Sequence, residues 1–594
     1  MRQIIPGVLS MMLRSKTSDA RLLYAIVGAV AGLSVWGLIN VLPDMVDNAR
    51  AALLPIAAGL GFFGVLLALL GPVRLKLAAV AALGMAVPAA LLLFWASFRH
   101  AQVEDFLDTG YGAAAFVYLL VIGVPFVTAG LHRHGGWRHY GALFDTAWNL
   151  VVRVAAAWLF VGVAWLVLLL SDQLLGLVGI DIIEDVIALE PVPYLVSGIA
   201  LGLGLAIVHE LRDYVSPFLV IQLLRVLLPA LLVVLAVFIV ALPFRGLASL
   251  FGQFSAAATL VAVTVAGITL VTTAIHRDDG VSVQGAGMLM ATRLLSAMLP
   301  VPAALALWAV WLRVDQYGLT PHRVAGLIAA AVALIYALAY AVALLTRTDW
   351  RRQQRSVNRW MALVTLAIAA LWLTPLLNAE RLATASQIAR AGSGAADRDL
   401  ALWEMANEWG IAGQRGLARL ESQADAQEDG DLLALIERAR QTPARWDYQK
   451  ATGDDGIVTL EGIVPLRPVG SSLPPGALDG LDPDERQQIH ESCKRRLTGG
   501  HPGCVIVIAP FEPAEDTERA IGLFATADEG ARLVAYRIYE GRLFQQGYPR
   551  DILGGNYPYV SKDVIADILK GRFRLVPAPR TVLEVGGMQL FPQN

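Results

Sequence analysis

The 594 residues are 56% hydrophobic and 16% charged, with a mean hydropathy of +0.58, whereas a soluble domain carries about 25% charged residues. That composition excludes a purely soluble protein, and a net charge of -2 without a basic stripe gives no reason to expect a nucleic-acid partner. The length leaves room for a large helical bundle followed by a separate soluble domain.

At the N-terminus, Arg2, Arg14, Lys16 and Arg21 precede an apolar run at 22–41. The run is longer than the core of a cleavable signal and ends without a small-x-small site, so it reads as an uncleaved first helix. Ten further runs of spanning length follow, at 51–70, 75–98, 112–130, 150–170, 192–209, 226–242, 255–275, 294–312, 324–345 and 360–377. In lipid each must be a helix, because an unpaired backbone amide there is too costly. The fold class predicted is an all-α polytopic membrane bundle of about eleven transmembrane helices, followed by a soluble α+β domain.

Lys and Arg in the breaks set the orientation. Seventeen lie on the side of the N-terminus, and only Arg50, Arg99, Arg245, Arg313 and Arg323 lie on the other. That bias makes the N-terminus cytoplasmic, and an odd number of spans then carries the C-terminal part across. The domains expected are a cytoplasmic segment 1–21, a membrane domain 22–377 and a periplasmic domain 378–594, all in a bacterial inner membrane. The parity depends on 213–242, where Pro217, Arg225 and Pro229 interrupt an apolar run. Its first half is assigned to an interfacial helix, and a second span there would reverse the sidedness.

Gly28 and Gly32, and Gly198 and Gly202, are small-xxx-small pairs that let helices approach closely. GLVGIDIIEDVIALEP suits a short surface helix. Thr320 and Pro321 read as an N-cap and first helical residue. After Asn378 a helical layer is expected over about 378–445, with Leu402, Met405 and Trp409 sharing a face. IVTLEGIVPL, CVIVIAPF, AIGLFA, ARLVAYRIY and RTVLEVG read as strands of a mostly antiparallel sheet within 446–594.

Few residues suggest chemistry. His490, Cys493, His501 and Cys504 have a spacing that could hold zinc, but an oxidising compartment favours a Cys493–Cys504 disulfide over metal or free thiols. Asp145, Asn149 and Arg153 recur every four residues on one face of the fifth span. Either they form a functional site or Arg153 snorkels and pairs with Asp145. His209, Glu210 and Asp213 form a second membrane-edge cluster, and HELRD lacks the second histidine of a zinc protease. His276, Arg277, Asp278 and Asp279 look like an ordinary solvated loop. Gln316, Tyr317, Thr320 and Arg323 either line the edge where the soluble domain docks or merely start a helix. No acid or histidine falls at the centre of a span, as an ion-coupled carrier requires, and there is no P-loop or serine elbow. No catalytic, cofactor or metal residue is assigned.

Several stretches carry a family likeness. AWNLVVRVAAAWLFVGVAWLVLLLSDQLLGLVGID, RDYVSPFLVIQLLRVLLPALLV, RVDQYGLTPHRVAGLIAAAVALIYALAYA, SQIARAGSG and EWGIAGQRGLARL resemble bacterial polytopic membrane proteins grouped as domain of unknown function 4153. The likeness covers roughly 22–420, and QYGLTPHRV is its most specific piece. It implies an inner-membrane protein with a soluble C-terminal part but no activity, so no residue role is carried over.

The sequence thus suggests a non-enzymatic envelope scaffold or sensor that presents a periplasmic domain to a protein or lipid partner. The alternative is a transporter or lipid-handling protein whose bundle is the active part. A membrane transferase would rest on His209, Glu210 and Asp213 alone.

Overall fold

The computed structural model describes residues 5–131, 136–210, 217–245, 254–346, 349–393, 400–452, 460–474, 476–497, 499–511, 519–526, 530–539, 541–551, 560–577, 581–585 and 588–591. The chain divides into two compact units, Met1–Pro443 and Ala444–Asn594.

In the first unit the long helices are α1 (Ile5–Trp36), α2 (Ala49–Leu69), α3 (Leu75–Ser97), α4 (Tyr111–Leu131), α5 (Tyr140–Gly176) and α6 (Pro191–Glu210). They continue with α7 (Pro217–Arg245), α8 (Phe254–Ile275), α9 (Ala286–Met298), α10 (Pro300–Tyr317), α11 (Pro321–Ala343) and α12 (Trp350–Trp372). Among the described residues ten segments are long and apolar enough to cross a membrane, with α9 and α10 counted as one span. An eleventh, α12, qualifies only together with the helical segment Pro375–Gly392, from which it is bent by 82°. Every predicted span thus coincides with a helix, and the protein is a multi-pass membrane protein.

One expectation is corrected. The segment expected to hold an interfacial helix and then a span is the single helix α7, which runs on through Pro229 and Pro243. A proline removes one donor, but ending the helix in an apolar medium would orphan several more backbone groups. The region is therefore one span.

Close approach is what small residues provide. A Cβ on Gly28 would lie 2.1 Å from the carbonyl oxygen of Gly198, and one on Gly198 would lie 2.2 Å from that of Gly28. Gly32 meets Tyr194 O, and Gly202 meets Tyr24 O, in the same way. α1 and α6 therefore touch backbone to backbone along two turns. On α3, Ala78, Ala82, Ala86 and Ala90 are fully buried at one residue per turn, giving a flat face against which α2 and α4 pack.

Four smaller helices complete the unit: α13 (Ala379–Gly392), α14 (Leu402–Asn407), α15 (Gly410–Gln427) and α16 (Gly430–Gln441). Asn378 caps α13 through Arg381 N at 2.7 Å, and Asp429 caps α16 through Leu432 N at 3.1 Å. Leu402, Met405 and Trp409 are buried together with Leu417 and Leu420. The layer is tied to the spans by the turn after α3. Arg99 pairs with Glu380 at 3.5 Å and donates to Thr374 O at 2.8 Å. Arg99 O accepts from Ile411 N at 2.9 Å, and the His100 ring sits 3.1 Å from Glu408 O.

The second unit is α+β. A six-stranded sheet runs in the order β1 (Leu466–Arg467), β2 (Cys504–Ala509), β3 (Arg519–Ala525), β4 (Gly530–Tyr539) and β5 (Arg542–Gly547), with β7 (Val560–Ser561) on β4. A four-stranded sheet joins β6 (Arg550–Asp551), β10 (Met588–Phe591), β9 (Thr581–Val585) and β8 (Arg574–Pro577). Among the described strands only the β1–β2 pairing is parallel. Of IVTLEGIVPL, the described part forms a turn before it reaches β1, where Gly462 takes a positive φ that a strand does not use. β2 is buried on both faces: Val505 and Val507 face a core shared with α18 (Asp563–Leu569), while Ile506 and Ile508 face one shared with α17 (Pro483–Lys494). Cys493 on α17 is bonded to Cys504 on β2.

Candidate functional site

Four helices of the bundle, α4, α8, α11 and α12, leave between them an apolar cavity of about 750 Å³. Val261 to Thr272 on α8 and Ala325 to Tyr336 on α11 flank it, a length of roughly 16 Å at the helical rise. Its wall is mainly Ala, Val and Ile, and among the described residues no charged side chain lines it. At one end Tyr111, Trp372 and His322 form an aromatic cluster, with Tyr111 and Trp372 ring centroids 5.5 Å apart and Tyr111 Oη hydrogen-bonded to His322 Nδ1.

The other end is polar. Asn358 on α12 accepts from Tyr336 Oη at 2.8 Å and from Tyr340 Oη, and donates to Tyr140 Oη at 2.9 Å and Thr272 Oγ1 at 3.4 Å. A buried amide offers two donors and two acceptor sites, and here all four are used. One residue thereby joins α5, α8, α11 and α12 under the cavity.

Beyond this floor the arginines of α12 grip the end of α8. Arg355 donates to Ile275 O at 2.6 Å and His276 O at 3.0 Å, and pairs with Asp279 at 2.7 Å. Arg351 reaches the same carboxylate at 3.4 Å, and Arg225 donates to Thr273 O at 2.9 Å. Cations at a helix C-terminus complement its dipole. The loop is solvated as expected, with Arg277, Asp278 and Asp279 exposed, and it is in addition held by the arginines of α12. Sequence reading missed that hold because the carbonyl partners belong to the backbone. Burial and Arg225 push His276 down to about 4.

The polar residues singled out from sequence fall into separate groups. Asp145, Asn149, Arg153 and His209 line one cavity of about 290 Å³ at the junction of α2, α4, α5 and α6. The expected Arg153–Asp145 pair does not form. Two helical turns separate them, and Asp145 pairs instead with Arg277 at 2.9 Å. Arg153 turns to the end of α2, donating to Leu70 O at 2.7 Å and to Ala68 O. Glu210 pairs with Arg21 at 2.5 Å. Asp213 lies outside the described residues. At the opposite end of the bundle, Thr320 caps α11 through Arg323 N, and Arg323 donates to Gly318 O at 2.8 Å with its guanidinium 5.4 Å from the Tyr317 ring. Gln387 of α13 donates to Tyr317 O at 3.1 Å and Leu319 O at 3.2 Å, whereas Gln316 is exposed.

In the second unit both sulfurs of Cys493 and Cys504 are committed to each other, so neither can act as a zinc thiolate beside His490 and His501. Among the described residues no group of three or more His, Cys, Asp or Glu is placed to hold a metal ion.

The family model for the domain of unknown function 4153 matches residues 51–404. The chain belongs to that family. The matched region contains every residue that lines the apolar cavity of this family member and ends within the helical layer tied to Arg99. No curated protein and no solved structure matches the chain.

Proposed function

We propose that the protein is a lipid-handling inner-membrane protein whose helical bundle is the working part and holds a single acyl chain. The observation that carries this reading is the cavity between α4, α8, α11 and α12. Its volume lies within the roughly 300–1,000 Å³ of small-molecule sites, and its length is about half that of a bilayer core. A cavity with apolar walls stays dry unless an apolar occupant fills it, and in a membrane the chains at hand are acyl chains. Aromatic residues at one mouth and hydroxyls at the floor match an amphiphile better than an ion or a sugar.

Orientation follows from the basic residues. With the N-terminus in the cytoplasm, the Arg355–Asp279 and Arg277–Asp145 contacts belong to the inner face, and the Arg99–Glu380 contact to the outer face. Among the described residues the Arg99–Glu380, Arg277–Asp145, Arg355–Asp279 and Arg359–Arg138 O contacts each join segments of the same assigned side, which supports the alternation. The residues after Asn378 are then periplasmic, where a disulfide persists.

A second reading, a scaffold that presents its C-terminal part to an envelope partner, is favoured by the Arg99 clamp on the helical layer.

The test is lipid retained through purification. Ala333→Phe and Ala369→Phe, which fill the cavity, are expected to lower bound lipid per protein while the melting temperature stays near that of the parent. Unchanged lipid content would overturn the proposal. Sidedness is tested separately by fusing a fluorescent protein that matures only in the cytosol to Asn594: dark cells support the assignment, and bright cells reverse it.

A further inference from the structure

Among the described residues Arg153 has no acidic partner. Its residue is only 8% exposed, and its two hydrogen bonds go to uncharged carbonyls, Leu70 O and Ala68 O. Its Nε is buried without a partner. The ion pairs formed nearby go elsewhere: Asp145 to Arg277 and Glu210 to Arg21. A guanidinium has five N–H donors and cannot shed its proton. The carbonyls at the end of α2 offset part of the charge through the helix dipole, but a full positive charge remains, and burying an unpaired ion is strongly unfavourable.

The same side chain forms part of the wall of the 290 Å³ cavity, a space of roughly ten water volumes. Thr128, Thr146, Asn149 and His209 line the rest of its polar surface, and Asp145 is the only carboxylate among the described lining residues. Gly71 brings these groups together. It has a φ of +102°, and a Cβ there would lie 2.9 Å from His209 Nδ1, 2.9 Å from Tyr24 Oη and 3.1 Å from Arg153 Nη1. Three polar side chains from α1, α5 and α6 therefore converge on a position that only a glycine leaves open.

We propose that this cavity binds a phosphate-bearing anion, either the headgroup phosphate of an anionic phospholipid or a soluble phosphate compound. Arginine suits the task because its planar donors match a tetrahedral oxyanion and charge-assisted bonds are the stronger class. Position suits it too, since basic pockets between spans at a membrane edge take anionic headgroups. The inference is independent of the acyl cavity, because no residue lines both.

The experiment uses the full chain in nanodiscs made from a phosphatidylglycerol and phosphatidylcholine mixture, released into the gas phase for native mass spectrometry. Inorganic phosphate is titrated in a parallel melting assay. The parent is expected to retain phosphatidylglycerol over phosphatidylcholine, with capture about tenfold weaker in Arg153→Gln, as expected when charge-assisted bonds are lost. Should Arg153→Gln fail to fold, Asn149→Leu decides, because it removes a polar amide from the cavity wall at an exposed position and leaves the Arg153–carbonyl bonds in place. Stabilisation by phosphate in the parent but not in Asn149→Leu, without lipid preference, supports the soluble source. Neither lipid preference nor phosphate stabilisation, or both persisting in the variants, overturns the proposal.

Discussion

Arg99, just past the end of α3, and Glu380, in the first turn of α13, face each other at 3.5 Å with both side chains less than a tenth exposed. Burial pulls the Arg99 guanidinium below its ordinary value, and Glu380 pushes back. Removing one member of a buried pair strands the other. Glu380→Ala is therefore expected to destabilise the first unit by on the order of 3 kcal/mol. A lowered melting temperature and faster proteolysis after Leu377 would show it. An unchanged melting temperature would mean that the carbonyls around Arg99 suffice.

The α1–α6 contact leaves no room for a methyl group. Gly198→Ala should force the helices apart and cost about 2 kcal/mol, the range for overpacking. Gly64→Ala and Gly84→Ala are matched controls, because a Cβ at either position meets nothing within 4 Å. Thermal unfolding of the three variants in one detergent would separate them, and equal midpoints would refute the close contact.

Asn358→Leu is isosteric but removes all four bonds that Asn358 makes, leaving Thr272 and Tyr340 to each other at 3.0 Å. Each buried hydroxyl left without a partner costs about 1–3 kcal/mol, so this variant should melt well below Tyr140→Phe, which removes one bond. The comparison is a single pair of melting curves.

His276 gives a pH dependence with a definite sign. Its folded value is about 4, below the ordinary value of about 6.5, so the unfolded chain binds a proton that the folded chain refuses. Stability is full above pH 6.5 and falls as pH drops toward 4. Arg225, Arg277, Asp145 and Asp278 surround the ring. The carboxylates held low, Glu421 and Asp278, act only below about pH 4.5. Between pH 7 and 5, the melting temperature of the parent should decline more than that of His276→Asn, which tolerates the positive φ of 51° at this position.

The spans were legible because length and apolarity are enough to mark them. So were the cap at Thr320 and the strand character of β2. Pro229 was misleading: its local preference to end a helix lost to the requirement that backbone groups in lipid stay paired. The apolar cavity was hidden for a different reason. Ala329, Val332 and Ala333 read the same whether they face lipid or a void, and only the packing of four helices distinguishes the two. Asp145, Asn149, Arg153 and His209 were legible as polar residues at a membrane edge, and their common cavity was not. The Arg153–Asp145 pair failed because a carbonyl of another helix lay closer than a carboxylate two turns away.

The helix that carries Arg153 runs 37 residues without interruption, about 55 Å at the helical rise and nearly twice the roughly 30 Å of a hydrocarbon core. It must lean or protrude. Such a rod acts as a lever: a change of tilt of about 5° at the end bearing Asp145 swings the end near Gly176 by roughly 5 Å. A change of tilt imposed at one face of the membrane would therefore displace the helix at the other.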